Sequence, residues 1–326
     1  MIIIRFTSGL GNQMFQYSFY QFMKSKYSGT QVKADVTWFY ANNDHHGYEL
    51  ERIFGSVEDS RFNIEEAGYG EIFKATGLIP NMVKGGGVGA KTFEKFRRYP
   101  NRIIREFTQK KREPYIIDQL SGKISNTDEA DGSNRMYEKV TSLDTTKDWY
   151  IMGFWIEEKY LAGRLDEIRE HLKFPDFADE GNKKLAEEIR SCDSVSIHVR
   201  RGDYLSVTYE NMFVALGRDY YEKAVNYIKE RVEDPRFFIF SDDGDFVREE
   251  FKWLDNMTVV SGNDGDDSFR DMQLMSLCKH NIIANSTFSQ WGALLNKNDD
   301  HMTVYPRAYL NDRDNEVKNF KGWIRL

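Results

Sequence analysis

Ile2-Ile3-Ile4 and Phe6 make a short apolar run broken only by Arg5, which predicts a strand, and a polar loop from Thr7 to Asn12 follows it. From Gln13 to Tyr27 a helix is expected. Met14, Phe15, Ser18, Phe19, Phe22 and Met23 recur there at steps of three and four residues, a broad core-facing stripe that Gly29 ends. Residues 30–150 lack a clean period. They hold aromatic fragments, a loop at Gly85 to Gly89, a basic run from Lys91 to Arg98 that reads as a solvated helix face, and a polar, acidic stretch over 120–149. The strand-like apolar pattern returns from Trp149 to Trp155.

The second half repeats one unit. Strands are expected at Val195–Val199, Phe237–Phe240, Met257–Val260 and Asn281–Ala284, with a last one centred on Met302 to Tyr305. Helices alternate with them, at 183–191, at Asp219–Val232 and around Leu274 to Cys278. The second has the spacing of a capping box in Asp219 and Glu222 and an apolar face of Tyr221, Ala224, Val225, Ile228 and Val232. Alternation of this kind implies an α/β fold with parallel, doubly wound sheets.

At 326 residues the chain is long enough for two domains, since domains commonly run about 100–200 residues. They are drawn here as 1–170 and 171–326. A composition of 40% hydrophobic and 30% charged residues excludes a disordered chain. No apolar run approaches the roughly 20 residues that cross a bilayer, and the start of the chain has no signal-peptide pattern, so a cytoplasmic protein is expected. Cys192 and Cys278 cannot build a disulfide framework or a zinc site and read as buried thiols. A net charge of −7 argues against nucleic acid as the main partner.

Four chemically unusual segments each follow the carboxyl end of an expected strand, where open parallel sheets bind ligands: Gly9 to Gln13, His198 to Tyr204, Ser241 to Asp243 and Asn285 to Thr287. Arg200 and Arg201 supply permanent charge and planar forks that match phosphate oxygens. Strand alternation puts His198 and Arg200 on one face, making Arg200 the better phosphate ligand; a surface ion pair with Asp203 is the competing role. Gly9 and Gly11 would let the backbone approach a ligand, or simply make a turn. Asp271 would either accept paired N–H groups from a base such as guanine or complete a capping box with Ser268. Asp242 and Asp243, like Asp264 and Asp266, could hold a metal, though short acidic loops with glycine are commonly turns. Ser286 and Thr287 would donate to phosphate oxygens or cap the next helix.

In order along the chain, SGLGNQMFQYS at 8–18, GFWIEEKY at 153–160, HVRRGDY at 198–204, FSDD at 240–243 and DMQLMSLCKHNIIANSTFSQWGALLN at 271–296 resemble the motifs of the α-1,2-fucosyltransferases. These are inverting enzymes that move L-fucose from GDP-fucose to a galactose hydroxyl. Gln290 departs from the pattern, which has a second tryptophan before Trp291. The resemblance implies two Rossmann-like domains facing a cleft (the GT-B arrangement), an acceptor-side N-terminal domain, GDP-fucose on the C-terminal domain, and no metal or other cofactor. By resemblance Arg200 would hold the leaving phosphate and His198 and Asp271 would line the nucleoside pocket. Ser286 and Thr287 would contact the diphosphate, with Arg201, Asp242, Asn285 and Phe288 around the donor, while Gly11 and Asn12 would face the reacting sugars. Asp203 is the nearest carboxylate for a general base, with a turn-stabilising role in competition. The acceptor implied is a galactose-terminated or lipid-linked glycan, the latter bringing peripheral contact with a membrane. A metal-dependent transferase using another sugar nucleotide and a noncatalytic glycan- or nucleotide-binding protein are the alternatives.

Overall fold

In the computed structural model, which describes residues 1–42, 46–119, 129–201, 214–307 and 320–326 (without the side chains of 129–132), the chain forms two units, Met1–Lys173 and Phe174–Leu326. The first runs β1 (Ile2–Arg5), α1 (Leu10–Lys26), β2 (Val32–Asp35), α2 (Leu50–Phe54), α3 (Tyr69–Thr76), α4 (Val88–Ile104), a single turn α5 (Lys110–Arg112), β3 (Ile116–Asp118), α6 (Glu129–Thr141), β4 (Trp149–Met152) and α7 (Leu165–His171). Its sheet is parallel with strand order β2-β1-β4-β3, and Arg5 pairs in register with Asp35 on one side and Met152 on the other. Ile2, Ile3 and Ile4 are fully buried, as expected of β-branched residues in a strand covered on both faces.

α1 starts at Leu10, three residues earlier than its apolar stripe predicts, with Gly9 extended in the N-cap position. Gly11 and Asn12 therefore lie in the helix's first turn rather than in a loop. The polar residues Gln13, Gln16 and Gln21 are buried beside the apolar ones because each finds backbone or side-chain partners. Gln16 accepts from the Thr7 N–H at 2.9 Å and donates to the Gly153 carbonyl at 3.0 Å, joining the exits of β1 and β4. Phe19 stacks on Trp155 with ring centroids 3.9 Å apart, and Tyr160 meets Phe19 edge-on at 5.1 Å. β2, β3 and α6 lie in the stretch without a readable period; strands of three and four residues are too short to show one.

The second unit runs α8 (Glu180–Arg190), β5 (Asp193–Val199), α9 (Arg218–Lys229), β6 (Pro235–Ser241), α10 (Gly244–Glu250), β7 (Met257–Val259), α11 (Phe269–Leu277), β8 (His280–Ile282), α12 (Thr287–Leu294), β9 (Thr303–Tyr305) and β10 (Ile324–Arg325). The sheet is again parallel, in the order β10-β9-β8-β5-β6-β7. Phe237, Phe238, Ile239 and Phe240 are fully buried on alternating faces, each contributing about 1.5–3 kcal/mol of burial. α9 packs Tyr221, Ala224, Val225 and Ile228 onto that sheet, the face read from its period. Its capping box does not form: Gly217 is the N-cap, Asp219 sits inside the first turn, and Glu222 pairs with Arg218 at 2.6 Å. Both cysteines are free, Cys278 buried and Cys192 half-buried. In each sheet the strand order reverses next to the first strand, between β1 and β4 and between β5 and β8, and such reversal points are where parallel sheets open a crevice.

Candidate functional site

In the second unit β5 delivers Arg200 and Arg201 to the carboxyl edge of the sheet, beside the exit of β6, where Val199 pairs with Ser241. The two guanidinium groups diverge. Arg200 Nη1 lies 3.2 Å from Asp242 Oδ2, and the same carboxylate accepts the Arg201 backbone N–H through Oδ1 at 3.0 Å. Arg201 instead turns its Nε to Asp243 at 3.2 Å and lays its guanidinium 3.6 Å from the centre of the Phe246 ring. Asp243 also accepts the Phe246 N–H at 3.1 Å and so caps α10. Both aspartates are thus engaged by arginines, and the Asp-Gly-Asp sequence there is a helix cap. Asp264 to Asp266 form the start of a single 3₁₀ turn, Gly265–Asp267.

Across the reversal point, β8 leads into Asn285 and the start of α12. Asn285 is buried and donates to the Val214 carbonyl at 2.8 Å, while the Ser286 hydroxyl accepts the Phe288 N–H at 3.3 Å as N-cap. Thr287 is the first residue of the helix, so a ligand at this end meets backbone N–H groups and the positive end of the helix dipole. His198, 4% exposed, sets its ring 5.8 Å from that of Phe288, and its carbonyl accepts the Tyr221 hydroxyl at 3.1 Å. Gln290 is buried next to the fully buried Trp291.

Asp271 lies in the first turn of α11, beyond the exit of β7. The capping box with Ser268 is absent: Ser268 has helical backbone angles and its side chain caps nothing. The carboxylate accepts from Asn263 Nδ2 at 2.8 Å instead. Burial pushes the carboxyl up to about 7, against the lowering by the Asn263 hydrogen bond and with a further push from Asp264. Asn263 had no separate signal in the sequence; it sits inside an acidic loop that reads as a turn.

Within the first unit, taken by itself, Gly11 is buried and Asn12 half-buried in the first turn of α1. The strained backbone is not at the glycines. Ser8, just after β1, has φ 68°, and Trp155, just after β4, has φ 59°, so both strands bordering this reversal point exit through a left-handed residue that is not glycine. A cavity of about 350 Å³ in the same unit touches the edge row Arg5, Asp35 and Met152, together with Trp38, Asn81 and Arg97. Asp35 accepts the Tyr150 hydroxyl at 2.6 Å and the Thr37 N–H at 2.8 Å. That carboxylate went unnoticed in the sequence because nothing marks Val32–Asp35 as a strand. Asp203 lies outside the described residues, as do Gly202 and Tyr204.

Comparison with known proteins agrees with this architecture. The chain is similar along its whole length to an alpha-1,2-colitosyltransferase of Escherichia coli, at 27% identity over 100% of the chain and 99% of the relative. Residues of the O-antigen biosynthesis glycosyltransferase WbnK, also of E. coli, match at 39% identity over 58% of the chain and 59% of that protein. Galactoside alpha-(1,2)-fucosyltransferase 1 of Ateles belzebuth matches at 31% over 52% and 48%. The crystal structure of NodZ alpha-1,6-fucosyltransferase from Bradyrhizobium, soaked with GDP-fucose, shares the fold at a TM-score of 0.52 with 14% identity, covering 90% of this chain and 92% of that one. The fold is therefore α/β with Rossmann-like units of the GT-B type. The model of glycosyl transferase family 11 matches residues 107–326, the whole of the arginine, aspartate and serine constellation included, and the chain belongs to that family of glycosyltransferases.

Proposed function

We propose that this glycosyltransferase moves L-fucose from GDP-L-fucose to the 2-hydroxyl of a galactose residue in a glycan, with inversion and without a metal or other cofactor. The observation that carries the reading is the pairing of Arg200 with Asp242 at the β5 exit, across the strand-order reversal from the N-terminus of α12. The GDP-fucose soaked into a structure of the same fold and the α-1,2 specificity in the names of two relatives support it.

In this mechanism the anomeric bond to the β-phosphate lengthens first and the sugar gains oxocarbenium character. Arg200 neutralises the charge that builds on the departing phosphate, and Asp242 holds the guanidinium in place for it. Ser286, Thr287 and the first N–H groups of α12 take the rest of the diphosphate, while Asp271 accepts from the guanine edge and His198 and Phe288 line the nucleoside side. Arg201 and Asn285 act from beneath, Arg201 by fixing the loop through Asp243 and Asn285 through the Val214 carbonyl. The acceptor belongs to the N-terminal unit, with Gly11 and Asn12 near the reacting sugars, and Asp203 is the proposed base. The setting is cytoplasmic. Among the described residues no helix is long and apolar enough to cross a membrane.

Incubation with GDP-fucose and a panel of β-galactosides, with the linkage read by NMR, tests the reading; a new α-1,2-fucosyl galactoside supports it. A second donor is favoured by the similarity to a colitosyltransferase over the full chain. Nucleotide-activated colitose is therefore run in parallel, and transfer of that sugar with none from GDP-fucose would overturn the donor assignment. Nucleotide binding with no transfer or hydrolysis of either donor would make the protein a noncatalytic binder.

A further inference from the structure

Among the described residues, every large apolar side chain left exposed lies between Tyr69 and Phe107. Val88 (83% exposed), Phe96 (70%), Tyr99 (73%), Ile103 (51%) and Phe107 (71%) fall on α4 and the π-helical turn Arg105–Gln109 that continues it. Their separations are multiples of three and four residues, so they form one outward stripe. The opposite face is anchored. Ala90 is buried, Arg97 and Asn101 donate to the Ile79 carbonyl at 2.8 and 3.0 Å, and the Thr108 hydroxyl donates to the Gly77 carbonyl at 2.7 Å. These bonds fix the rotation of the helix and keep the stripe facing out.

Basic residues flank the stripe. Lys91, Lys95, Arg98 and Arg102 follow the same three- and four-residue step, and Lys110, Lys111 and Arg112 extend the charge past its end. Residues 88–112 carry nine Lys or Arg against two Glu, a net +7 within a chain whose total is −7. What the sequence alone presents as a solvated basic face is therefore the edge of an apolar surface. A second copy of the chain on this stripe would bring two +7 segments together, which is repulsive. A sheet of negative headgroups over hydrocarbon complements both features at once.

We infer that α4 and the turn after it lie in the interface of a bilayer rich in anionic phospholipid, apolar stripe down and lysines and arginines among the headgroups. The inference does not depend on the donor or acceptor proposed above, since binding to vesicles is read without either. The test is co-sedimentation of the full chain with vesicles of phosphatidylcholine mixed with phosphatidylglycerol, against phosphatidylcholine alone. The wild-type protein should pellet with the anionic vesicles, less so at high salt. Two variants follow: Phe96→Ser with Tyr99→Ser and Phe107→Ser, and Lys91→Glu with Lys95→Glu, Arg98→Glu and Arg102→Glu. Circular dichroism and melting should match wild type because these side chains are exposed, while partition should fall on the order of 10³-fold for the charge reversal. No pelleting of the wild-type chain, or pelleting unchanged in both variants, overturns the inference. So does light scattering that shows a dimer dissolved by the serine substitutions, which would assign the stripe to a second copy.

Discussion

Gly153 sits where a side chain has no room. A Cβ there would lie 2.8 Å from Trp155 Cε2 and 2.9 Å from Gln119 Cβ, and neither neighbour can retreat: Gln119 Oε1 accepts the N–H groups of Phe154 and Trp155, and Trp155 is stacked on Phe19. Gly153→Ala should cost about 1–3 kcal/mol, seen as a lowered melting temperature; an unchanged melt would show that the β4 exit is looser than its contacts indicate. At the other reversal point Arg200→Ala should lower turnover on the order of 10²-fold, the scale for losing a donor to a developing charge, and Arg200→Lys should recover only part of it. Near-normal turnover in the alanine variant would remove Arg200 from the mechanism. Asp271 makes a pH prediction. Its carboxyl titrates near 7 when folded and near 3.9 in an unfolded chain, so the folded state holds a proton that the unfolded state releases. This group's contribution to stability therefore declines as pH rises from about 4 to about 7, and is level above. Guanine's N–H donors favour the anion, so GDP binding near neutral pH should release a proton, measured by calorimetry in buffers of differing ionisation heat. Binding without proton release, or equal release in Asp271→Asn, would end the guanine role.

Elements in the second unit are tied by side chains that the strands bury. Asn281 of β8 donates to Ser196 Oγ on β5 at 2.8 Å and to the Met275 carbonyl of α11 at 2.9 Å, and its Oδ1 accepts from Asn296 Nδ2 at 2.8 Å. One fully buried amide thus joins β5, β8, α11 and the end of α12 on the underside of the reversal point. Replacing it with leucine adds some bulk and takes the amide donor from the Ser196 hydroxyl and from the Met275 carbonyl, which keeps only the Cys278 N–H at 3.3 Å, at about 1–3 kcal/mol. The urea midpoint of Asn281→Leu should fall with an unchanged slope. A midpoint equal to wild type would mean the neighbouring groups find new partners at no cost. Tyr220 plays a similar part for α9, its hydroxyl donating to the Ile283 carbonyl at 2.6 Å.

For the molecule as a whole, the proposal places permanent charge where a divalent ion would otherwise act. Transfer should survive excess EDTA, since Asp242 and Asp243 are occupied by Arg200 and Arg201. Loss of transfer in EDTA with recovery on added magnesium or manganese would favour the metal-dependent alternative. The family model covers the second unit completely and the first from residue 107 onward.

The sequence by itself determined most of the second unit, with β5 to β9 and α8, α9 and α11 legible and α10, α12 and β10 not. Its strands are apolar runs, its helices such as α9 carry clean periods, and parallel strands joined by helices place their loops at one edge, so Arg200, Asp242 and Ser286 were legible as lying on that edge, while the strand order that makes them neighbours was not. It determined little of the first unit beyond β1, α1 and β4. β2 and β3 hold three or four residues each, and such strands exist because neighbours pair with them, not because of a local pattern. Tertiary structure alone decided which partner each polar group takes: Arg200 with Asp242 but Arg201 with Asp243, Asp271 with Asn263 in place of Ser268, and Ser8 and Trp155 rather than the glycines in left-handed backbone. Those choices depend on distances between segments far apart in the chain, and the packing of one element on another sets them.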